Sequence, residues 1–411
     1  MKVLWLGAGL LLPLDKGGRL RTWHLLRHLA ARHEVTYLSF VEPTASVEDT
    51  RGMEAVCARL ETIPRRDPEK GTPRFYLDAA RFLASPRPYA VAKYESVEYR
   101  RRLRGLLAEE RFDVVVSDFL PPVANLPDRL PCPAVLFTHN VEAEIWRRHA
   151  ETAGNPLSRA LLRAQWRRML RFERAALARF DLVLAVSGAD RGTLARLYPD
   201  ALRQPVHVVR TGVDTDYFAP QPAVRRPAHL VFTGSMDWLP NEDGMVHFVR
   251  DILPRIRRAH PEATLRIVGR APTPPVRRLA EGPGIEVTGR VDDVRPHVAA
   301  ATVYVVPLRV GGGTRLKIFE AMAMGKAVVS TTIGAEGLPV TPGRDIGIAD
   351  TADAFAAEVT RLIEDGPARR SMEAAARRLV VDRYDWSAVA HDLEDALQGA
   401  HGMARAREHV A

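Results

Sequence analysis

Apolar and polar positions along this 411-residue chain alternate between two periods. Short, almost wholly apolar runs occur at Val3–Leu6, Val35–Phe40, Val114–Val116, Val135–Phe137 and Leu182–Val186. Their length and β-branched content predict strands buried within a sheet. Between them stand segments of helical period, clearest at Arg19–Ala31 and Asn155–Arg179. The pattern then restarts. Leu230–Thr233, Leu265–Val268, Ile285–Thr288, Val303–Val306 and Ala327–Ser330 predict a second strand series. Helical segments at Asn241–Ala259, Val276–Ala280, Val294–Ala300 and Thr314–Met324 are interleaved with it. Gly212–Pro227, with Pro220, Pro222 and Pro227, has the composition of a linker. The expected fold class is therefore α/β, with two Rossmann-like doubly wound domains facing a cleft. Expected bounds are 1–212, a linker at 213–227, 228–385, and a closing helix and tail over 386–411. Ligands of such folds bind at the carboxyl ends of the strands, so residues in those loops carry the functional interest.

Composition narrows the class. Hydrophobic residues make up 46% of the chain, enough for packed cores. Cys57 and Cys132 form neither metal-type spacing nor a disulfide framework, which suits a reducing compartment. The start, Met1–Leu14, is broken by Gly7 and Gly9 and lacks a small-residue cleavage site, so it reads as a strand rather than a signal sequence. No apolar run approaches the roughly 20 residues of a spanning helix. A cytoplasmic protein is expected. Net charge is +9, carried mostly by arginine, and no nucleic-acid module accompanies it. Asn155–Arg179 interleaves Arg159, Arg163, Arg167, Arg168, Arg171 and Arg174 with leucines. It reads most simply as a core-packed helix with an arginine-rich solvent face. The other reading is a peripheral helix on the inner, anionic face of a membrane.

Candidate chemistry concentrates after strands. Gly311-Gly312-Gly313 follows the run Val303–Val306 and precedes a helix starting near Thr314. Glycines let the backbone approach a ligand, and a helix N-terminus offers free N–H groups and partial positive charge. Arg315 and Lys317 add formal charge, so a diphosphate site is expected; a plain glycine turn is the alternative. Glu320, one turn on, could accept hydrogen bonds from ribose hydroxyls or pair with Lys317 or Arg315. Lys16-Gly17-Gly18-Arg19, opening the first long helix, is a second loop-to-helix anion site. Thr138-His139-Asn140 directly follows Val135–Phe137; a histidine there can donate a hydrogen bond or exchange a proton near neutral pH, and a lone histidine is more often structural. Ser187 reads as a helix N-cap. Gly-x-Ser-x-Gly is absent, Gly-x-Gly-x-x-Gly does not follow the first strand, and no metal-ligand spacing is present.

Residues 307–338, PLRVGGGTRLKIFEAMAMGKAVVSTTIGAEGL, resemble the donor-site signature of glycosyltransferase family 4, whose members have the GT-B fold. Weaker resemblances cover Asp15–Val35, Asp181–Asp190, Thr211–Asp214 with Phe218, Phe232–Met236 and Tyr384–Trp386. The resemblance implies retaining transfer of a sugar from a nucleotide-diphosphate donor, most simply a UDP- or GDP-sugar, to a hydroxyl acceptor. It implies no required metal or other cofactor. Gly311–Thr314, Arg315 and Lys317 would hold the diphosphate, Glu320 the ribose, and His139 would stand near the donor sugar and acceptor. Val287–Arg290 would lie near the base. Two departures stand out. Gly312 occupies the position of the family's first motif glutamate. The usual Gly-Arg…Lys clamp falls on Gly234-Ser235, with Asn241 near the lysine position. This variant pattern resembles a subgroup associated with bacterial exopolysaccharide assembly. A sugar-nucleotide epimerase of the same fold, or an inert sugar-nucleotide-binding or membrane-scaffold protein, would share the signature.

Overall fold

The computed structural model describes all residues except 15–16, 67–71, 73–84, 223–225, 311–315 and 409–411, with the side chains of 152 and 404–408 also undescribed. The chain divides into two compact units, Met1–Arg210 with Val389–Ala411, and Thr211–Ala388.

The first unit is built on seven parallel strands: β1 (Lys2–Leu6), β2 (Glu34–Val41), β3 (Arg59–Pro64), β4 (Val114–Asp118), β5 (Ala134–Thr138), β6 (Leu182–Ala185) and β7 (His207–Val208). Their order is β3-β2-β1-β4-β5-β6-β7. The chain thus winds outward from β1 in both directions, and the switch point lies between β1 and β4. Val3–Leu6 and Val114–Val116 are fully buried, as continuous apolar runs in a parallel sheet require. Strand β3 carries a different pattern. Its Arg59 and Glu61 pair with each other at 2.8 Å, and Arg102 of the helix Val97–Glu109 pairs with Glu61 at 2.7 Å. An edge strand tolerates such charge, and that masks it in the hydrophobic pattern.

Two helices, Glu142–Thr152 and Pro156–Leu177, form an antiparallel hairpin directly after β5. Glu173, buried within the second, accepts hydrogen bonds from the backbone N–H groups of Glu142 (2.9 Å) and Ala143 (3.1 Å) and from the Tyr198 hydroxyl (2.6 Å). It therefore supplies the acceptor that Val141, the N-cap, cannot. Burial pushes its carboxyl up to about 7 despite these three donors. The closing helix, Trp386–Glu408, begins in the second unit and continues into the first. There its buried Glu394 accepts from His33 Nε2 (2.7 Å) and pairs with Arg32 (2.5 Å).

The second unit holds six parallel strands: β8 (His229–Thr233), β9 (Thr264–Val268), β10 (Ile285–Gly289), β11 (Val303–Val306), β12 (Ala327–Ser330) and β13 (Gly347–Ile348). The order β10-β9-β8-β11-β12-β13 repeats the first unit's winding, with the switch point between β8 and β11. The helix expected over Asn241–Ala259 is present as three pieces, Leu239–His247, a π-helical stretch Phe248–Ile252, and Leu253–Ala259. Pro254 explains the widening, because it has no N–H to donate to the preceding turn. The segment Thr211–Asp214 is packed within this unit. Val213 N donates to Tyr384 O at 2.7 Å, Thr215 Oγ1 to Asp385 Oδ2 at 2.6 Å. A Cβ on Gly212 would stand 2.7 Å from the Trp386 ring. The structure thus joins two stretches, 211–214 and 384–386, that resemble family segments lying about 170 residues apart in sequence.

Candidate active site

At the first unit's switch point, β4 ends on Asp118 and β5 leads into His139. The helix Gly17–Ala30 supplies Arg21 and Thr22 from its first turns. His139 Nε2 lies 2.8 Å from Asp118 Oδ1, and Arg21 Nη1 lies 2.8 Å from His139 Nδ1. A guanidinium only donates, so Nδ1 accepts and the proton sits on Nε2, directed at Asp118. Thr22 Oγ1 completes the chain by donating to Asp118 Oδ2 at 2.9 Å. Burial lowers the pKa of His139, opposed by the Asp118 charge, and burial likewise lowers Arg21 to about 10. Phe119 stacks on the imidazole at 3.8 Å and 14°. Its backbone holds φ 67°, and a Cβ on Gly18 would come within 2.6 Å of its ring. The expected histidine therefore stands at the strand end, but both its nitrogens are occupied and its side chain is only 2% exposed. In this arrangement it is a neutral, oriented group and not one free to exchange a proton with solvent. Asp118, Arg21 and Thr22 were not singled out by the sequence, because nothing in their spacing ties them to position 139.

Asn140, adjacent to His139, is exposed. Gly17 and Gly18 form the first turn of the helix, Arg19 is half-buried beside them, and Lys16 lies outside the described residues. The loop after β1 is occupied by protein: the Tyr37 hydroxyl donates to Gly9 O at 3.0 Å, and a Cβ on Gly7 would meet it at 2.2 Å.

At the second unit's switch point, the carboxyl ends of β8, β9, β10, β11 and β12 share one edge of the sheet. Lys317 projects there from the helix Leu316–Ala323, which is fastened by buried Ile318, Phe319, Ala321 and Met322. Phe319 stacks on Tyr384 at 4.4 Å, fixing the rotation of the helix. Lys317 Nζ donates to Asn241 Oδ1 at 2.8 Å and sits 4.1 Å over the Phe232 ring. Asn241, itself buried, donates to Ser235 O at 2.8 Å. A Cβ on Gly234 would stand 2.6 Å from Nζ and 2.7 Å from Asn241 Nδ2, so a larger residue there would displace this pair. Next to it, Arg270 Nε donates to Ser235 Oγ at 2.8 Å, and Ser235 Oγ donates to Asp237 at 2.7 Å. A Cβ on Gly269 would overlap Gly234 O at 1.7 Å, so the β8 and β9 loops are in direct backbone contact.

Glu320 lies one turn after Lys317 on the same helix. Burial pushes its carboxyl up to about 7, against the lowering effect of the Lys317 charge. Arg290 is exposed at the end of β10. Gly311, Gly312, Gly313, Thr314 and Arg315 lie outside the described residues. Of the expected second-unit residues, the structure brings Lys317 and Ser235 together through Asn241 and places Glu320 one turn behind them. Asn241 and Arg270 complete the group. The first was noted only as standing near the position of a lysine, and the second gave no signal. Chemically the edge offers a fixed ammonium and a nearby guanidinium, with a carboxyl group one helical turn away. Such a set has the charges and acceptors to bind an anion beside a group bearing hydroxyls. Among the described residues, no cluster of three or more His, Cys, Asp or Glu forms a metal-binding group.

Comparison with known proteins agrees with this architecture. The family model described as Glycosyltransferase Family 4 matches residues 16–217, and that described as Glycosyl transferases group 1 matches residues 227–365. A GDP-mannose-dependent alpha-(1-6)-phosphatidylinositol monomannoside mannosyltransferase of Mycobacterium tuberculosis is 29% identical over 328 residues, covering 72% of this chain and 79% of its own. A phosphatidyl-myo-inositol mannosyltransferase of Mycolicibacterium smegmatis is 32% identical over 218 residues, covering 50% and 54%. Among solved structures, sucrose-phosphate synthase of Thermosynechococcus elongatus superposes with a TM-score of 0.65 at 17% identity, over 98% of this chain and 100% of its own. HepE of Anabaena, in complex with UDP, does so at 0.65 and 14% over 97% and 100%. The two family models divide the chain much as its two sheets do, and with the mannosyltransferase match running through most of its length, the chain belongs to glycosyltransferase family 4, with the GT-B fold and glycosyltransferase activity that define it.

Proposed function

We propose that this enzyme transfers a sugar from a nucleotide-diphosphate donor to a hydroxyl acceptor with retention of anomeric configuration and without a required metal. The observation that carries the proposal is the Lys317 ammonium, held at the second unit's switch point by Asn241, Phe232 and Gly234. Lys317 stands in the first turn of the helix Leu316–Ala323, and by the family resemblance Ser235 and Asn241 occupy the usual clamp positions. Lys317 takes over their charge, together with Arg315 and the backbone of Gly311–Thr314. Relatives support a nucleotide-sugar donor: one is named as GDP-mannose-dependent, and HepE was solved with UDP and with UDP-glucose. A UDP- or GDP-sugar is the donor class.

The chemistry follows from charge. Breaking the anomeric C–O bond leaves negative charge on the diphosphate and an oxocarbenium-like sugar. A fixed ammonium and aligned N–H groups stabilise the departing phosphate most strongly when its charge is fully developed, which lowers the barrier. The acceptor hydroxyl attacks the same face and passes its proton to the leaving phosphate. Glu320 accepts hydrogen bonds from the ribose hydroxyls, Ser235 lines the diphosphate side, and Arg290 lies towards the base. In the first unit, neutral His139, with Lys16, Gly17, Gly18, Arg19 and Asn140, forms the acceptor side. His139 acts there by position, since Asp118 and Arg21 hold both its nitrogens.

The test is proton NMR of the reaction with UDP-glucose and GDP-mannose, each with a panel of hydroxyl acceptors, in the presence of excess chelator. The expected product carries an α-anomeric proton signal, and the rate is unchanged by chelator. A β-linked product would contradict retention, and loss of rate restored by a divalent cation would contradict metal independence. Interconversion of the donor sugar without any acceptor would instead identify an epimerase. Nucleotide binding with no turnover of either donor would identify an inert binding protein.

A further inference from the structure

The helical hairpin of the first unit has an exposed face that its packing does not explain. The second half of Pro156–Leu177 is anchored by buried Gln165, Met169, Glu173, Ala176 and Leu177. Its first half is not. Leu157 is 72% exposed and Leu161 42% exposed. With exposed Ala160 and Ala164 they occupy positions i, i+3, i+4 and i+7, a single apolar stripe. Exposed Arg159, Arg163, Arg167 and Arg171, spaced four apart, run down one flank of that stripe. No Asp or Glu occurs between residues 152 and 172. On the preceding helix, Glu144 and Glu151 both pair with Arg147, at 2.8 and 2.6 Å. The carboxylates nearest the tip are thus already paired. The tip itself is rigid in construction: Asn155 Oδ1 caps the second helix by accepting from Ser158 N at 2.7 Å, and Pro156 opens its first turn.

Scattered exposed leucines are ordinary on protein surfaces, but a continuous stripe flanked by one sign of charge is not. We propose that this hairpin tip docks on an anionic lipid bilayer, with Leu157 and Leu161 entering the acyl boundary and the arginine row contacting the headgroup phosphates. Arginine suits the position because its stem lies along apolar surface while its guanidinium remains at the interface. Charge complementarity selects a bilayer over a second copy of this chain, since two such faces would set like-charged arginine rows against each other. No helix among the described residues is long and apolar enough to cross a membrane, so the contact is peripheral. The first hairpin helix starts at Glu142, three residues after His139, so docking tethers the end of β5 to the lipid surface. The docking claim is independent of the proposed transfer reaction.

The test is co-sedimentation of the full chain with vesicles of phosphatidylcholine alone and of phosphatidylcholine mixed with phosphatidylglycerol. Two double variants are compared, Leu157→Gln with Leu161→Gln, and Arg163→Gln with Arg167→Gln. All four positions are exposed, and thermal unfolding confirms that the variants remain folded. The wild type is expected to bind the anionic vesicles and to release as salt rises. The arginine pair should weaken that binding by roughly twenty-five-fold, about five-fold per charge. The leucine pair should weaken it by about ten-fold or more, with less dependence on salt. Failure of the wild type to bind anionic vesicles, or binding unaffected by either variant, overturns the proposal. So does a leucine-dependent dimer in sedimentation velocity with vesicle binding unchanged.

Discussion

Lys317→Ala is expected to lower kcat/KM for the nucleotide-sugar donor by roughly 10²–10³-fold, equivalent to about 2.7–4 kcal/mol of lost transition-state stabilisation. The size follows from where the ammonium sits. It is partly buried, fixed by Asn241 Oδ1 at 2.8 Å, and lies over the Phe232 ring. A cation so held needs little reorganisation when charge develops on the leaving phosphate. Its helix should survive the change, since alanine is the best helix former and the helix is anchored by Ile318, Phe319 and Met322. Steady-state kinetics with the preferred donor measure the loss, and an unchanged far-ultraviolet circular dichroism spectrum separates it from unfolding. Loss mainly in kcat would mark an interaction formed in the transition state. Loss confined to KM would mark uniform ground-state binding.

Asp118→Ala is expected to destabilise the first unit by about 3–5 kcal/mol, the cost of stranding a buried charge. Asp118 is the acceptor for both the Nε2 proton of His139 and the Thr22 hydroxyl. It is also, ahead of Asp190, the carboxylate that most favours the charged form of Arg21, a guanidinium that burial already disfavours. Removing it leaves two donors without a partner and Arg21 without that counter-charge. Chemical denaturation followed through the unfolding transition of the first unit measures the effect. A loss below about 1 kcal/mol would mean that water or relaxation replaces the carboxylate, and that the chain from Arg21 to Thr22 is not structural.

Fold class was the most legible property of the sequence. Val303–Val306 and Ala327–Ser330 coincide with β11 and β12 residue for residue, because strands buried on both faces read as short, nearly continuous apolar runs. Ser187 caps its helix by accepting from Asp190 N, a local bond that local sequence carries. Strand β3 was illegible for the opposite reason, its charged edge breaking the apolar pattern. The exposed leucines of the hairpin were misassigned to a core face, since periodicity reports that a helix is amphipathic but not which part of its stripe finds a partner.

In the site, Lys317 and Glu320 were legible because the strand–glycine–helix order concentrates them in one motif. Their partners were not. Asn241 stands 76 residues from Lys317, and Asp118 and Arg21 stand 21 and 118 residues from His139. Only the parallel winding, which gathers strand ends on one edge, brings such residues together. That packing also changes the meaning of His139. From sequence it reads as a group that donates a hydrogen bond, exchanges a proton or is merely structural, whereas the folded chain holds both its nitrogens, between Asp118 and Arg21.

The central claim is that the second unit binds a nucleoside diphosphate through Lys317. Calorimetric titration of UDP and GDP into the wild type and into Lys317→Ala tests it without requiring the acceptor. One of the two nucleotides is expected to bind the wild type with a single site, and the variant should bind it roughly ten- to a hundred-fold more weakly. Absence of binding by both nucleotides, or equal affinity in the two proteins, would contradict the claim.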